Sequence, residues 1–238
     1  MSQHRHVRSA MGWMAGAAGL AIGGYAAMAG RSWWQYGRPS PPPRHERDDL
    51  LDLVMPIYDV VERHRIFVRA PAASTLEAAK EQDLFGSSIV RAVFRTRALV
   101  MGGDLDDRRR PRPLLRETLA LGWRVLDEIP GREVVVGAVT KPWEPNVVFR
   151  PIPGDRFAAF AEPDYVKIVW SLRADPVGDR QSIFRTETRA IATDPAARSR
   201  FRRYWSLVSP GIALIRQMSL GPVKADAERR ARLVHATA

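Results

Sequence analysis

One histidine lies inside the part of the chain that has the pattern of a folded domain, and it stands beside a carboxylate. His64 follows Glu62 by two residues in an alternating segment, so the two side chains share one face of a strand. An imidazole next to a carboxylate is a possible pair for general acid–base catalysis. A metal site needs more ligands than this pair supplies. We therefore predict structural or surface roles for both, with no catalytic and no metal-binding residue.

A second set of charged side chains alternates along a strand-like segment near residue 187. Arg185, Glu187 and Arg189 share one face of this strand, which we interpret as a charge ladder that faces solvent. The opposite face carries uncharged side chains and is the better candidate for a cavity. The candidate cavity residues from this strand, from the strand before it and from the last helix are Ile168, Trp170, Leu172, Phe184, Thr186, Thr188, Tyr204 and Trp205.

Familiar cofactor and catalytic signatures are missing from the sequence. There is no P-loop, GxGxxG, HExxH or GxSxG motif, and no cofactor is predicted. The absence of cysteine excludes disulfides, thiolate zinc sites and a cysteine nucleophile. A formal net charge of +11 favours anionic partners. Because the aromatic residues mostly occupy apolar phases of strands and helices, we predict a membrane and not a nucleic acid as that partner.

The N-terminal region has the length and composition of a membrane anchor. Residues 9–30 carry no charge and, at about 1.5 Å per residue, are long enough to cross a bilayer. We interpret them as a transmembrane helix after a basic N-terminus over residues 1–8. Trp33, Trp34 and Tyr36 follow, as an interfacial aromatic belt would. The alternative is a cleaved secretory signal that ends at the small residues 27–29.

The segment that follows the predicted anchor is rich in arginine and proline. Four arginines lie in residues 31–47 and two in residues 1–8, so the positive-inside tendency predicts a single-pass protein with its domain in the cytoplasm. Export after signal cleavage is the alternative localisation. Four prolines in residues 39–43 predict an extended spacer. We therefore divide the chain into a linker over residues 31–53, one domain over 54–232 and a tail over 233–238.

Periodicity within the domain predicts a strand, two short helices, a run of antiparallel strands and a long C-terminal helix. The first strand covers residues 58–69, and Ser74 or Thr75 caps the helix that follows it. Residues 104–113 are predicted to form a surface loop. The last helix begins near Pro195 and is expected to kink at Pro210. The later strands are predicted at residues 123–129, 133–140, 146–151, 156–160, 165–173 and 182–193, with the tip of a hairpin at residues 130–131.

Several phrases in this order resemble the SRPBCC superfamily, the START and polyketide cyclase-like group. They are VERHRIFVRAPAASTLEAA, PGREVVVGAV, FAAFAEPDYVKIVWSL and IFRTETRAIATDPAARSRFRRYW, and the resemblance covers about residues 56–232. It implies an α+β helix-grip fold, in which a curved antiparallel sheet wraps around the C-terminal helix. It also implies a cavity between sheet and helix, which in relatives often holds lipids, sterols or polyketides.

The sequence and the resemblance together favour a membrane-tethered, non-catalytic domain that binds a hydrophobic small molecule or lipid. Two alternatives remain open. One is an enzyme of the cyclase or dehydratase kind in the same cavity, which requires at least two polar groups within reach of one substrate atom. The other is a scaffold that presents its surface to another membrane protein.

Overall fold

A computed structural model describes residue 19 and residues 23–83, 87–103 and 113–236. Its centre is a six-stranded antiparallel sheet packed against a C-terminal helix of 42 residues. A 3-10 turn covers Arg44–Glu46. In chain order the helices and strands are α1 (23–35), α2 (Asp49–Val54), β1 (Val60–Val68), α3 (Ala72–Glu81), α4 (Ser88–Met101), α5 (Leu114–Ala120), β2 (Arg124–Ile129), β3 (Glu133–Thr140), β4 (Phe149–Arg150), α6 (Gly154–Phe157), β5 (Val166–Pro176), β6 (Ser182–Ala192) and α7 (Pro195–Ala236).

The strand order is β1-β6-β5-β3-β2, and β4 pairs with β3 beside β2. The last strand therefore lies between the first strand and β5. The predicted hairpin tip is confirmed, because residues 130–131 join β2 to β3. Gly131 has a φ of 70°, which a glycine adopts without steric cost. The prediction of an antiparallel sheet packed against a long C-terminal helix is thus confirmed.

The C-terminal helix α7 begins directly after a capping aspartate. Asp194 Oδ1 accepts hydrogen bonds from the amides of Ala196 and Ala197 at 2.8 and 2.9 Å. An apolar stripe then crosses the concave face of the sheet. Pro210 and Pro222 both lie within the helix, which continues through the predicted kink.

The sheet is covered on both faces. On the concave face, α7 and α3 pack against one apolar cluster, and the N-terminal half of α7 packs against another. On the outer face, α2 and α6 cover a third cluster that includes Leu51, Val135, Phe157 and Val169. This second covering layer was not predicted, since residues up to 53 were assigned to a linker.

Three short elements differ from the sequence prediction. Residues 156–160 were predicted as a strand, but Gly154–Phe157 forms helix α6, because Pro153 precedes its first turn and Phe157 is buried against the outer face. The strand predicted at 146–151 is reduced to Phe149–Arg150. Helix α5 was not predicted at all. Its seven residues are too short to display a helical period.

The start of helix α3 also differs from its predicted cap. The helix begins at Ala72, directly after Pro71, so Thr75 lies inside it and not at its end. Thr75 is buried, and its hydroxyl lies 2.8 Å from the hydroxyl of Ser182. The side chain that the sequence assigned to capping therefore joins α3 to the first residue of β6.

The predicted anchor lies mostly outside the described residues. Of residues 9–30, the structure describes residue 19 and residues 23–30, which are helical. Across the described ranges, no helix has both the length and the apolar character needed to span a bilayer. The predicted loop at 104–113 lies outside the described residues except for Pro113.

The segment predicted as linker packs closely on the domain. Tyr36, expected in an interfacial belt, is only 7% exposed, and its ring packs edge-on against Phe201 with centroids 5.8 Å apart. Ser209 and Ser32 join α7 to α1 through hydroxyls 2.7 Å apart. Residues 32–55 thus contribute buried contacts to the domain, although the sequence pattern shows no folded element there before residue 54.

Candidate functional site

The pairing of three strands places six side chains in two adjacent rows on the concave face. Glu62 pairs with Thr188, which pairs with Trp170 on its other side. Two residues along, the next row on this face contains His64, Thr186 and Leu172. Because side chains two residues apart share a face of a strand, both rows point toward α7.

Arg216 of helix α7 reaches into these two rows. Its terminal nitrogens lie 3.3 Å from the hydroxyl of Thr186 and 3.2 Å from that of Thr188. Its guanidinium carbon lies 5.2 Å from the centre of the Trp170 ring, in cation–π contact. Burial lowers the pKa of Arg216 to about 10, and the charge of Glu62 partly opposes this. The side chain therefore stays cationic at neutral pH.

His64 and Glu62 lie beside this arginine and remain partly accessible. The Nε2 atom of His64 is 3.9 Å from a carboxylate oxygen of Glu62, and their side chains are 13% and 26% exposed. Burial lowers the pKa of His64, and Arg216 lowers it further, whereas the side chain of Gln217 acts in the opposite direction. His64 is therefore neutral at pH 7, and its buried Nε2 has no hydrogen-bond partner among the described residues.

Apolar clusters lie on both sides of this polar group. On one side, Trp170, Leu172 and Phe184 pack with Leu220 and Val223 of α7. On the other side, Ile168, Tyr204 and Trp205 belong to the cluster around Phe201. The eight predicted cavity residues thus all lie on the concave face, but they divide into two apolar clusters and a polar pair, Thr186 and Thr188. We name the polar group between the clusters, Glu62, His64, Thr186, Thr188 and Arg216, the concave polar cluster.

Arg216 was missed in the sequence, although a signal for it exists. The buried positions of α7 recur at three- and four-residue steps, and Arg216 occupies one of those steps between Ile212 and Leu220. A cation within an apolar stripe indicates a side chain that points inward.

The charge ladder on the outer face is buried and does not face solvent as predicted. Arg189 has no exposed surface, and Glu187 is 6% exposed. Arg189 donates to Glu187 at 2.7 Å and to Asp52 of α2 at 2.6 Å, and it stacks 4.7 Å from the ring centre of Tyr58. The prediction failed because it left α2 in the linker, so nothing was available to cover this face.

A cleft of about 320 Å³ lies at the edge of this covered face. Its lining is polar, but its arginines are engaged with carboxylates. Arg63 donates to Glu187 at 2.9 Å, and Arg173 donates to Asp175 at 2.7 Å. These ion pairs and the contact of Arg65 with Glu46 fasten residues 40–58 to the sheet. The lining residues are Pro43, Glu46, Asp48, Arg63, His64, Arg65, Ser171, Arg173, Arg185, Thr186 and Glu187, so that two members of the concave polar cluster, His64 and Thr186, also contribute to this cleft. We therefore regard this cleft as structural.

One carboxyl group beside the cleft is held in its neutral form. Burial, together with a hydrogen bond and the charge from Asp48, raises the pKa of Glu133 to about 9, although Arg173 opposes the shift. Asp48 in turn accepts from the amide of Leu51 at 2.9 Å and thereby caps α2. The pair links β3 to the start of the covering helix.

The chemistry available on the concave face is therefore recognition of a polar group, with one possible acid–base pair. No group of three or more potential metal ligands occurs among the residues that the structure describes. Arg216 and the two threonines supply hydrogen-bond donors, and the neighbouring clusters supply apolar contact area.

Comparisons with known proteins find similar solved structures but no matching family and no matching curated protein. No family model matches the sequence, and no curated protein matches it significantly. Among solved structures, the di-domain ARO/CYC BexL from the BE-7585A biosynthetic pathway is similar over 71% of this chain, with 15% identity and a TM-score of 0.31. The match spans 46% of BexL, so this chain covers less than half of that protein.

Two further solved structures are similar at the same level. A hypothetical protein of Helicobacter pylori matches 71% of this chain and 89% of its own, with 6% identity and a TM-score of 0.35. The Zhui aromatase/cyclase of Streptomyces sp. R1128 matches 72% and 94%, with 13% identity and a TM-score of 0.25. At these identities and TM-scores the similarities assign neither a family nor an activity to this chain.

Proposed function

We propose that this protein is a membrane-tethered binding domain for an amphipathic ligand that lies on the concave face of the sheet. The observation that carries the proposal is the concave polar cluster, in which a partly buried arginine lies between two apolar clusters. Ligand sites commonly combine apolar walls with a few converging polar groups. A domain that needed only a stable core would gain more from an apolar side chain at position 216.

Filling the concave polar cluster tests this proposal. Thr188 is 8% exposed and lies under Arg216, so Thr188→Trp should place an indole where the ligand lies. Val148 is 71% exposed, which makes Val148→Trp a matched control. The full chain is purified in mild detergent and examined by native mass spectrometry. We expect a bound small molecule on the wild type and on Val148→Trp, and none on Thr188→Trp.

Two measurements together would contradict the proposal. A wild-type protein that carries no molecule, together with a Thr188→Trp variant that unfolds because no space exists for the indole, would mean a solid-packed face. Thermal unfolding of the three proteins, followed by circular dichroism, shows whether Thr188→Trp is folded. That combination contradicts the proposal.

The tether is supported by the uncharged run over residues 9–30 and by the surface next to it. Trp34, Met28 and Leu207 are apolar side chains with 68%, 49% and 58% of their surface exposed. The guanidinium of Arg38 lies 4.8 Å from the centre of the Trp34 ring. Aromatic and basic side chains together suit a membrane–water interface.

Cell fractionation tests the tether. We expect the full chain to stay in the membrane pellet after alkaline extraction, and a chain without residues 1–30 to appear in the supernatant. Protease protection of the domain in intact cells would agree with the proposed cytoplasmic side. N-terminal sequencing that begins near residue 30 would instead identify a cleaved signal and an exported protein.

The alternative function is an enzyme of the cyclase or dehydratase kind. It is favoured by Glu62 and His64, two polar groups within 3.9 Å of each other on the same face. The molecules extracted from wild type and from His64→Ala separate the two functions. A wild-type ligand lighter by one water than that of His64→Ala supports a dehydratase, and ligands of equal mass but different fragmentation support a cyclisation that loses no water; identical mass and fragmentation contradict both.

A further inference from the structure

We infer that the ligand is an amphipathic acid whose carboxylate is bound by Arg216. This inference rests on the proposed ligand site and names the chemical class that the site selects. It follows from how Arg216 differs from the other buried arginines of the sheet.

Arginines buried on the outer face are matched by carboxylates. Arg189 has Glu187 and Asp52 within 2.7 Å, and Arg173 has Asp175 at the same distance. Arg216, by contrast, forms no ion pair with any carboxylate of the described chain, and its two hydroxyl contacts are 3.2 and 3.3 Å long. A partly buried cation with no carboxylate at ion-pair distance is costly, so an external anion is its natural partner.

The orientation of the guanidinium suits a carboxylate. One face of Arg216 lies against the Trp170 ring, and the two threonine hydroxyls contact its two terminal nitrogens. These contacts use two of the five N–H donors of an arginine. Three donors remain, one on Nε and one on each terminal nitrogen, and two of them can bind a carboxylate in a bidentate manner.

His64 and Glu62 provide the groups beside the bound acid. His64 is neutral at pH 7, and a neutral imidazole donates one hydrogen bond without adding charge. Burial raises the pKa of Glu62, although Arg31 and Arg216 act against the shift.

Two probes of equal chain length separate acid recognition from general apolar binding. The full chain is placed in nanodiscs of neutral lipid and titrated with cis-parinaric acid or with the corresponding alcohol, and empty nanodiscs correct for partitioning. We expect the wild type to bind the acid more tightly than the alcohol by about 10- to 100-fold, since a charge-assisted pair replaces a neutral contact.

Variants of one residue assign the difference to Arg216. Arg216→Gln should remove the preference for the acid and leave the affinity for the alcohol within about twofold. Arg216→Lys keeps the charge without the planar fork and should retain a reduced preference. Arg203, an exposed residue of the same helix, gives the control Arg203→Gln, which should behave as wild type.

The outcomes for this inference and for the proposed function differ. Equal binding of acid and alcohol by the wild type, or equal weakening of both by Arg216→Gln, overturns the inference while leaving a ligand site in place. Failure of the wild type to bind either probe contradicts the proposed function. If Arg216→Gln does not fold, the ratio for the wild type and the ratio for Arg216→Lys still decide the question.

Discussion

At the scale of single residues, the outer face contains a titratable group with a predictable effect on stability. Glu133 has a pKa raised to about 9, mainly by burial and then by Asp48. Since an unfolded glutamate titrates near its ordinary pKa, the folded state holds the extra proton between these two values. The associated stability is complete below the ordinary pKa and is lost as the pH rises toward about 9.

Glu133→Gln should therefore flatten the pH dependence of stability. We expect the wild type to lose on the order of a few kcal/mol of unfolding free energy between about pH 5 and about pH 9, and the variant to lose much less. Denaturant unfolding across this range, in detergent, measures the effect. Asp179→Asn, at an exposed turn, is the control. Parallel curves for wild type and Glu133→Gln would mean that Glu133 is ionised in the folded protein.

At the scale of elements, helix α7 depends on the side chains that it packs against the sheet. Trp205 is 7% exposed and lies against Phe201, with ring centroids 5.8 Å apart. Trp205→Ala removes this buried ring and should cost about 3–5 kcal/mol. Arg203→Ala, on the exposed side of the same turn, should cost under about 0.5 kcal/mol. Chemical denaturation compares the two variants, and equal small effects would mean that α7 does not pack as described.

Arg202 also lies at a polar position of helix α7, but the structure makes it unsuitable as a control for Trp205→Ala. Its guanidinium lies 4.1 Å from the centre of the Trp33 ring and donates to the carbonyl of Trp33 at 3.0 and 3.2 Å. Arg202 therefore joins α7 to α1, and its replacement would report on that contact as well.

At the scale of the whole molecule, residues 31–47 connect the predicted anchor to the domain and are also part of the packing. Tyr36 packs against Phe201, and its hydroxyl donates to Asp59 at 3.3 Å. Arg63 donates to the carbonyl of Ser40 at 2.8 Å. A packed segment of this kind holds the domain in a fixed relation to α1, whereas a free linker would not.

Two truncations measure that relation. A chain without residues 1–47 should fold, because the sheet and α7 are complete, but it loses the contacts of Tyr36 and Ser40. We expect it to be less stable than a chain without residues 1–30 by about 2–4 kcal/mol, the sum of one buried aromatic side chain and its hydrogen bonds. Tyr36→Phe in the longer chain isolates the hydroxyl. Equal midpoints of thermal unfolding for the two truncations would show that residues 31–47 do not stabilise the domain.

The sequence by itself determined the elements that have a long and regular pattern. The alternation in β5 and β6 assigned the face of Trp170, Thr186 and Thr188, because a strand repeats every two residues. The turn dipeptide at residues 130–131 is a local signal, and it predicted the hairpin tip correctly. The order of these elements was sufficient to predict an antiparallel sheet packed against a long C-terminal helix.

Only the tertiary structure decided which face each charged side chain meets and what covers it. Alternation placed Arg185, Glu187 and Arg189 on one face, but burial of that face depends on α2, whose packing across a long sequence separation leaves no local pattern. Arg216 joins the threonines of β6 for the same reason, since 28 and 30 residues separate them in sequence. Local periodicity assigns a side chain to a face of its own element, and only the packing of elements brings two faces together.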